Sequence, residues 1–228
     1  MNILITGVTS GFGKQIAIDL VKAGHQVIGT GRRQSKLNEL KDELGDGFTP
    51  LCFDVCDTQG ARQALHSVNL SDIDVLINNA GLALGLSSAD KADFSDWQTM
   101  INTNIMGLTL VTHEVLPFMT AKNDGYIITK AFIKQFSLNL RADLIGKKVR
   151  VTNIEPGLCG DTEFSQVRFK GDTNKVSQTY ADINYITPQD ISNMVLWLIN
   201  QPKHININRL EVMPTAQTFA GLSVTKNL

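Results

Sequence analysis

The sequence predicts a single doubly wound α/β domain, a seven-stranded parallel sheet with helices on both faces. Strand and helix signals alternate along the whole chain, the pattern of a parallel sheet covered on two sides. The first strand runs directly into a glycine-rich turn, Gly7-Val8-Thr9-Ser10-Gly11-Phe12-Gly13, that opens a helix. The 228 residues hold no Pro/Ser-rich linker, so 1–228 is read as one domain.

Taken in order, Asn2 to Thr6 is a short apolar run suited to a buried parallel strand. Gln15 to Lys22 then sets Ile16, Ala17, Leu20 and Val21 on one helical face. Gln26 to Gly31 is a second strand, and Ser35 to Leu44 a helix turning Leu37, Leu40 and Leu44 inward. Pro50 to Val55 reads as a third strand, Gln59 to Val68 as a helix and Asp74 to Asn78 as a fourth strand. Asp96 to Met119 is one long helix or a broken pair. Tyr126 to Ile128 is a fifth strand, Ala131 to Leu144 a helix and Val149 to Ile154 a sixth strand. Thr187 as N-cap and Pro188 at the first helical position open a last helix through Leu198. Asn208 to Met213 closes the sheet.

Composition narrows the function classes. A net charge of −1 with no basic block argues against nucleic-acid binding. No apolar run reaches membrane-spanning length, and the N-terminus has neither a cationic region nor a cleavage site. A cytoplasmic protein is expected. Cys52, Cys56 and Cys159 lack a second ligand pair, so no metal site is expected and the three are read as reduced packing residues.

Two features point to a ligand. A glycine-rich turn between a strand and a helix N-terminus lets backbone approach a phosphate, and the helix dipole favours negative charge there. Taken alone it could equally be a turn without a ligand. The second strand ends in Gly31-Arg32-Arg33 with no acid. In a dinucleotide fold an acid at that place binds a 2′-hydroxyl, whereas arginine accommodates a 2′-phosphate. Cations at a helix start are otherwise unfavourable, so Arg32 and Arg33 select NADP over NAD.

Thr6-Gly7-Val8-Thr9-Ser10-Gly11-Phe12-Gly13, Asn78-Asn79-Ala80-Gly81 and Pro156-Gly157 stand in order at strand ends. With these motifs the chain resembles the short-chain dehydrogenase/reductase family over essentially its whole length. The resemblance implies a Rossmann-type fold with NADP as cofactor. It implies that Asp54 and Val55 border the adenine, and that Asn79, Ala80 and Gly81 hold the cofactor's middle. Pro156, Gly157, Leu158 and Thr162 would lie over the nicotinamide, and Asn104, in Thr-Asn-Ile-Met-Gly, matches the family's catalytic asparagine. Thr30-Gly31-Arg32-Arg33, the stretch 153–158 and the stretch 163–171 look most like bacterial NADP-dependent 3-hydroxy acid dehydrogenases, the serine dehydrogenase/malonic semialdehyde reductase group. Arg168 is the candidate partner of a substrate carboxylate. Thr215 to Val224 resembles the tail that such enzymes dock on a neighbouring subunit, and the resemblance implies a homo-oligomer, a tetramer.

The chain departs from the family at one place. The family's chemistry uses a serine near the end of the fifth strand and a tyrosine four residues before a lysine on the next helix. That lysine lowers the tyrosine's pKa so that it exchanges a proton with the substrate oxygen. Here Gly125-Tyr126-Ile127-Ile128 matches the strand, Thr129-Lys130-Ala131-Phe132 matches the helix, and the two are joined directly. About twenty residues that the family keeps between them are absent, serine and tyrosine included; a usual connection is about 2 to 6 residues, and here there is none. Tyr126 and Lys130 satisfy Tyr-x-x-x-Lys by letter only, because four strand residues span about 13 Å against about 6 Å for a helical turn. Tyr126 is expected to be a partly exposed strand residue, and Ser137 to serve packing or solvent. Either the segment is truly deleted, leaving an NADP-binding sensor or scaffold, or the sequence omits a mobile active-site loop. The omission is expected, with Lys130 and Asn104 as catalytic residues acting on a small hydroxy acid; another alcohol or ketone is the alternative substrate.

Overall fold

Ile3 and Ile5 are fully buried on one side of the first strand and Leu4 on the other, so that strand must be covered on both faces. The computed structural model describes residues 1–85, 88–130 and 134–218. Its elements run β1 (Asn2–Thr6), α1 (Gly11–Lys22), β2 (Gln26–Gly31), α2 (Gln34–Leu44), β3 (Phe48–Cys52), α3 (Thr58–Leu65) and β4 (Val75–Ile77). They continue with α4 (Phe94–Ile101), a π-helical segment (Asn102–Gly107), α5 (Leu108–Lys122), β5 (Gly125–Lys130), α6 (Lys134–Asp143) and β6 (Val149–Pro156). The last are α7 (Glu163–Arg168), α8 (Thr173–Tyr180), α9 (Pro188–Ile199) and β7 (Arg209–Val212).

The seven strands form one sheet in the order β3-β2-β1-β4-β5-β6-β7, and every pairing is parallel. One face is packed by α1, α2 and α9 through Ile16, Leu20, Leu37, Leu40, Ile191 and Leu198. The other is packed by α3, α5 and α6 through Ala61, Leu65, Val111, Val115 and Leu140. The chain reverses its direction of growth between β1 and β4, and the crevice beyond their carboxyl ends is where such sheets bind ligands.

The structure moves several expected boundaries. The third strand lies at 48–52 rather than 50–55; Pro50 is tolerated because β3 is an edge strand and needs no donor on its open side. The long helix is a broken pair, interrupted by the π-helical turn. The segment 157–186, for which no element is predicted, carries α7 and α8. Thr187 caps α9 through a full capping box with Asp190. Three side chains, Tyr126, Cys52 and Cys56, also correct the expectation. Tyr126 is 2% exposed, not partly open, with its hydroxyl 2.6 Å from Thr152 Oγ1 and its ring under Arg150. Ser137, expected to serve packing or solvent, is packed: it is buried and bonded to Thr129. Cys52 and Cys56 are exposed rather than packed.

The sequence runs from Lys130 straight into Ala131, with no residues between them for the family's serine–tyrosine segment. Lys130 ends β5, in register with Ile154, and does not open a helix. Ala131 and Phe132 lie outside the described residues, as does the tail from residue 219 on. What is described of the tail turns back on its own chain: Ala216 packs with Leu158 and Ile183, and Gln217 Oε1 accepts from the Leu158 N–H at 2.6 Å.

Candidate active site

The glycine turn is built by close contact. Gly7 (φ +73°) carries a conformation that side chains disfavour, and a Cβ there would come within 2.9 Å of Ala80 Cα. A Cβ on Gly13 would lie 2.2 Å from Gly7 O and 2.4 Å from Asn79 Nδ2. Asn79 explains this crowding: its Nδ2 donates to Thr6 O and Gly7 O, both at 2.9 Å. Thr6 Oγ1 accepts from the N–H groups of Asn79 and Ala80. The ends of β1 and β4 are thereby stitched together, and Val8, fully buried, anchors the turn from below. Asn79 thus serves the turn with its side chain.

Ser10, extended, precedes α1 without a side-chain bond that caps it. The first turn of α1 is therefore open to an anion, with the dipole directed at it. Next to it stand the two arginines. Arg32 is exposed and pairs with Asp54 at 3.3 Å. Arg33 donates to Thr9 Oγ1 and Thr9 O and pairs with Glu163 Oε2 at 2.9 Å. Asp54 Oδ1 also accepts from the Cys56 N–H, which fixes the turn after β3. Val55 instead packs beneath Gly107 of the π-helical segment, where a Cβ would meet its Cγ2 at 2.7 Å. This donor set suits a phosphorylated dinucleotide: an uncapped helix N-terminus for one phosphate and guanidinium for another.

Asn104 lies in the π-helical turn, a distortion frequent at functional sites. Its Oδ1 accepts from the Leu82 N–H at 2.8 Å and its Nδ2 donates to Leu82 O at 2.7 Å. It clamps the loop that follows Gly81. Lys130 is half-buried, with its ammonium 5.5 Å from the centre of the Phe12 ring. Desolvation pulls its pKa down from 10.5 to about 8. Lys130, Phe12, Asn79, Ile154 and Pro156 line a cavity of about 30 Å³ at the crevice.

Beyond β6, Gly157 donates to Val212 O at 2.7 Å, and Leu158 is buried. The chain then crosses back over the glycine turn. Thr162 caps α7 and touches the Gly11 position, whose Cβ would lie 3.2 Å away. Asp161 and Lys170, both left-handed at φ +54° and +51°, bracket α7. At its far end Arg168 O accepts from the Gly85 N–H, Lys170 pairs with Asp96 at 2.9 Å, and Arg168 Nε is buried without a partner among the described residues. The residues expected at the cofactor and nicotinamide thus gather at one sheet end, apart from Val55 and Leu158, which face protein. Sequence reasoning missed Glu163, and the only signal for it was an acid beside Thr162 in a segment with no predicted element.

Among the described residues no phenol is bonded to Lys130. Tyr126 is held by Thr152, Tyr180 by Cys159 O and the Ser165 hydroxyl, and Tyr185 by Asp161. No group of residues suited to a metal ion occurs among the described residues, and no helix there is long and apolar enough to cross a membrane.

Residues 1–129 match the family model described as short chain dehydrogenase, a match that stops one residue before Lys130. A Haemophilus influenzae protein named as a probable NADP-dependent dehydrogenase is 52% identical, over 98% of this chain and 97% of its own length. The NADP-dependent 3-hydroxy acid dehydrogenase YdfG of Salmonella typhi is 49% identical over the full length of both chains. That alignment has 248 positions for 228 residues, so twenty have no counterpart here. Among solved structures, the closed form of serine dehydrogenase complexed with NADP+ superposes with a TM-score of 0.94 at 47% identity, covering 99% of this chain and 100% of that one. On sheet order, glycine turn and these matches together, the chain belongs to the short-chain dehydrogenase family.

Proposed function

We propose that the protein is an NADP-dependent oxidoreductase that interconverts a small 3-hydroxy acid, serine-like or 3-hydroxypropionate-like, and its 3-oxo acid. The observation that carries this is the meeting, at one sheet end, of the uncapped α1 N-terminus and the arginines that follow β2. The names of relatives at about half identity support the cofactor and the substrate class. When bound, the nicotinamide supplies or accepts the hydride. The chain's own residues bind and orient. Gly7 to Gly13 seat the phosphates, Asn79 keeps the turn's shape, and the segment from Pro156 to Thr162 closes the nicotinamide side. Arg168, with a buried Nε–H unspent, is the seat proposed for the substrate carboxylate. Asn104 holds the loop at Leu82; its second Nδ2 proton and remaining lone pair are what it can offer a proton-relaying water. Lys130 brings a cation to the crevice, where it would tune a tyrosine supplied by the segment this sequence lacks. In this reading the protein works in the cytoplasm as a homo-oligomer, a tetramer as the family resemblance implies.

A second reading is favoured by one observation: Lys130 ends a strand, and among the described residues no tyrosine or serine hydroxyl is bonded to it. In that reading the chain binds NADP without turnover, as a sensor or scaffold. Titration calorimetry with NADPH and NADH, followed by assays with serine and 3-hydroxypropionate, tests both. NADPH is expected to bind more tightly than NADH, and hydroxy-acid-dependent NADPH formation is expected. Tight NADPH binding with no turnover of either acid would replace the first reading by the second.

A further inference from the structure

The two arginines after β2 are not equivalent. The guanidinium of Arg33 is spent on protein: Nε donates to Thr9 Oγ1 at 3.2 Å and NH2 to Thr9 O at 3.1 Å. Its outer edge faces the Glu163 carboxylate, through NH1 to Oε1 at 3.2 Å and NH2 to Oε2 at 2.9 Å. This is the bidentate fork–carboxylate geometry that arginine forms best. Arg33, with help from the Ser10 hydroxyl, holds the Glu163 carboxyl below the usual carboxylate range, so it is ionised and repels a second anion. Arg32 is different. Its side chain is 66% exposed, and among the described residues it pairs with Asp54 alone, at 3.3 Å. Glu163 also begins α7, the helix carried over the glycine turn and tied at its far end to Gly85 and Asp96.

We propose that Arg33 and Glu163 form a clasp that holds residues 162–170 over the glycine-rich turn; of the pair already read as selecting NADP, this leaves Arg32 to meet the 2′-phosphate. Arg33 is then a positioning residue acting through Glu163, and cofactor selection rests on its neighbour. A phosphate approaching Arg33 would meet a bidentate Glu163 carboxylate, whereas Arg32 gives only NH1 to Asp54 and keeps its other donors unspent among the described residues. The second half of the proposal rests on the NADP reading above; the clasp itself does not.

The test combines limited trypsin digestion of the cofactor-free protein with calorimetry, on Arg32→Ala, Arg33→Ala and Glu163→Gln. Fragments ending at Arg168 or Lys170, followed by mass spectrometry, report opening of the segment. Loss of an exposed ion pair should speed that cleavage about two- to fivefold in both Arg33→Ala and Glu163→Gln. The double variant should add nothing further. Those two variants should weaken NADPH and NADH by the same factor and keep their ratio, while Arg32→Ala collapses the ratio at least about tenfold. Collapse of the ratio in Arg33→Ala but not in Arg32→Ala would overturn the assignment. Unchanged cleavage in both clasp variants would overturn the clasp. If the wild-type protein bound neither cofactor, the NADP reading and the Arg32 assignment would fall, and the cleavage rates would still decide the clasp.

Discussion

At the scale of single residues, Lys130 carries the most consequence. Its ammonium is drawn into the crevice between the glycine turn and β6, and burial lowers its pKa to about 8. The folded state therefore binds this proton less well than the unfolded chain, whose lysine titrates near 10.5. Below about pH 8 the charge is carried in both states, and its burial costs stability in full. Between about 8 and 10.5 the cost falls away as pH rises. Lys130→Met keeps the stem and removes the charge. It should stabilise the fold at pH 7 by roughly 1 to 3 kcal/mol, and the gain should shrink towards pH 10. Urea unfolding at the two pH values checks this, and an equal difference at both would show that the ammonium is not desolvated. If Lys130 tunes a tyrosine, the same variant should lower turnover by about two to four orders of magnitude. Its neighbourhood was only partly legible. Gly7, Gly13 and Asn79 could be placed by motif, because their roles are local to strand ends. The separation of Arg32 from Arg33 could not, since it depends on Glu163, 130 positions further along the chain.

Among elements, legibility followed periodicity and capping. β1 and β2 were placed to the residue, and α9 nearly so, because apolar runs and a Thr-Pro start leave few alternatives. α7 and α8 are short; α7 is fixed by contacts to the turn and, through Lys170, to Asp96, and α8 through Tyr180 to Ser165 and Cys159, which sequence pattern does not carry. The π-helical turn was visible only as doubt about one long helix. It is set by tertiary packing, with Gly107 against Val55 and Asn104 against Leu82. The capping box at α9 gives a measurable expectation. Thr187 Oγ1 accepts from the Asp190 N–H at 3.3 Å, and Asp190 Oδ2 accepts from the Thr187 N–H at 2.8 Å. Thr187→Ala should cost about 1 kcal/mol, while Thr187→Ser should cost little. Equal losses in both, read by chemical denaturation, would mean that the threonine methyl and not its hydroxyl matters.

For the whole molecule, the question is how a complete cofactor crevice comes to stand beside a strand joined almost directly to a helix. The sheet, both covering layers and the segment over the turn are intact, and β5 keeps its register with β4 and β6 throughout. Removal of about twenty residues has been absorbed locally, by extending β5 to Lys130 and starting α6 at Lys134. An Arg168 Nε without a partner among the described residues and an Arg33–Glu163 pair beside the glycine turn are both kept. The family match ends at Thr129, and twenty aligned positions are missing. We therefore expect the protein isolated from its natural source to carry the segment. At this chain's own average residue mass, twenty residues add about 2 kDa to 25.0 kDa, which electrospray mass spectrometry of the intact protein resolves directly. An intact mass of 25.0 kDa would instead show that the deletion is real. The crevice would then lack a hydroxyl to exchange the substrate proton, and the NADP-binding reading without turnover would take the place of the dehydrogenase.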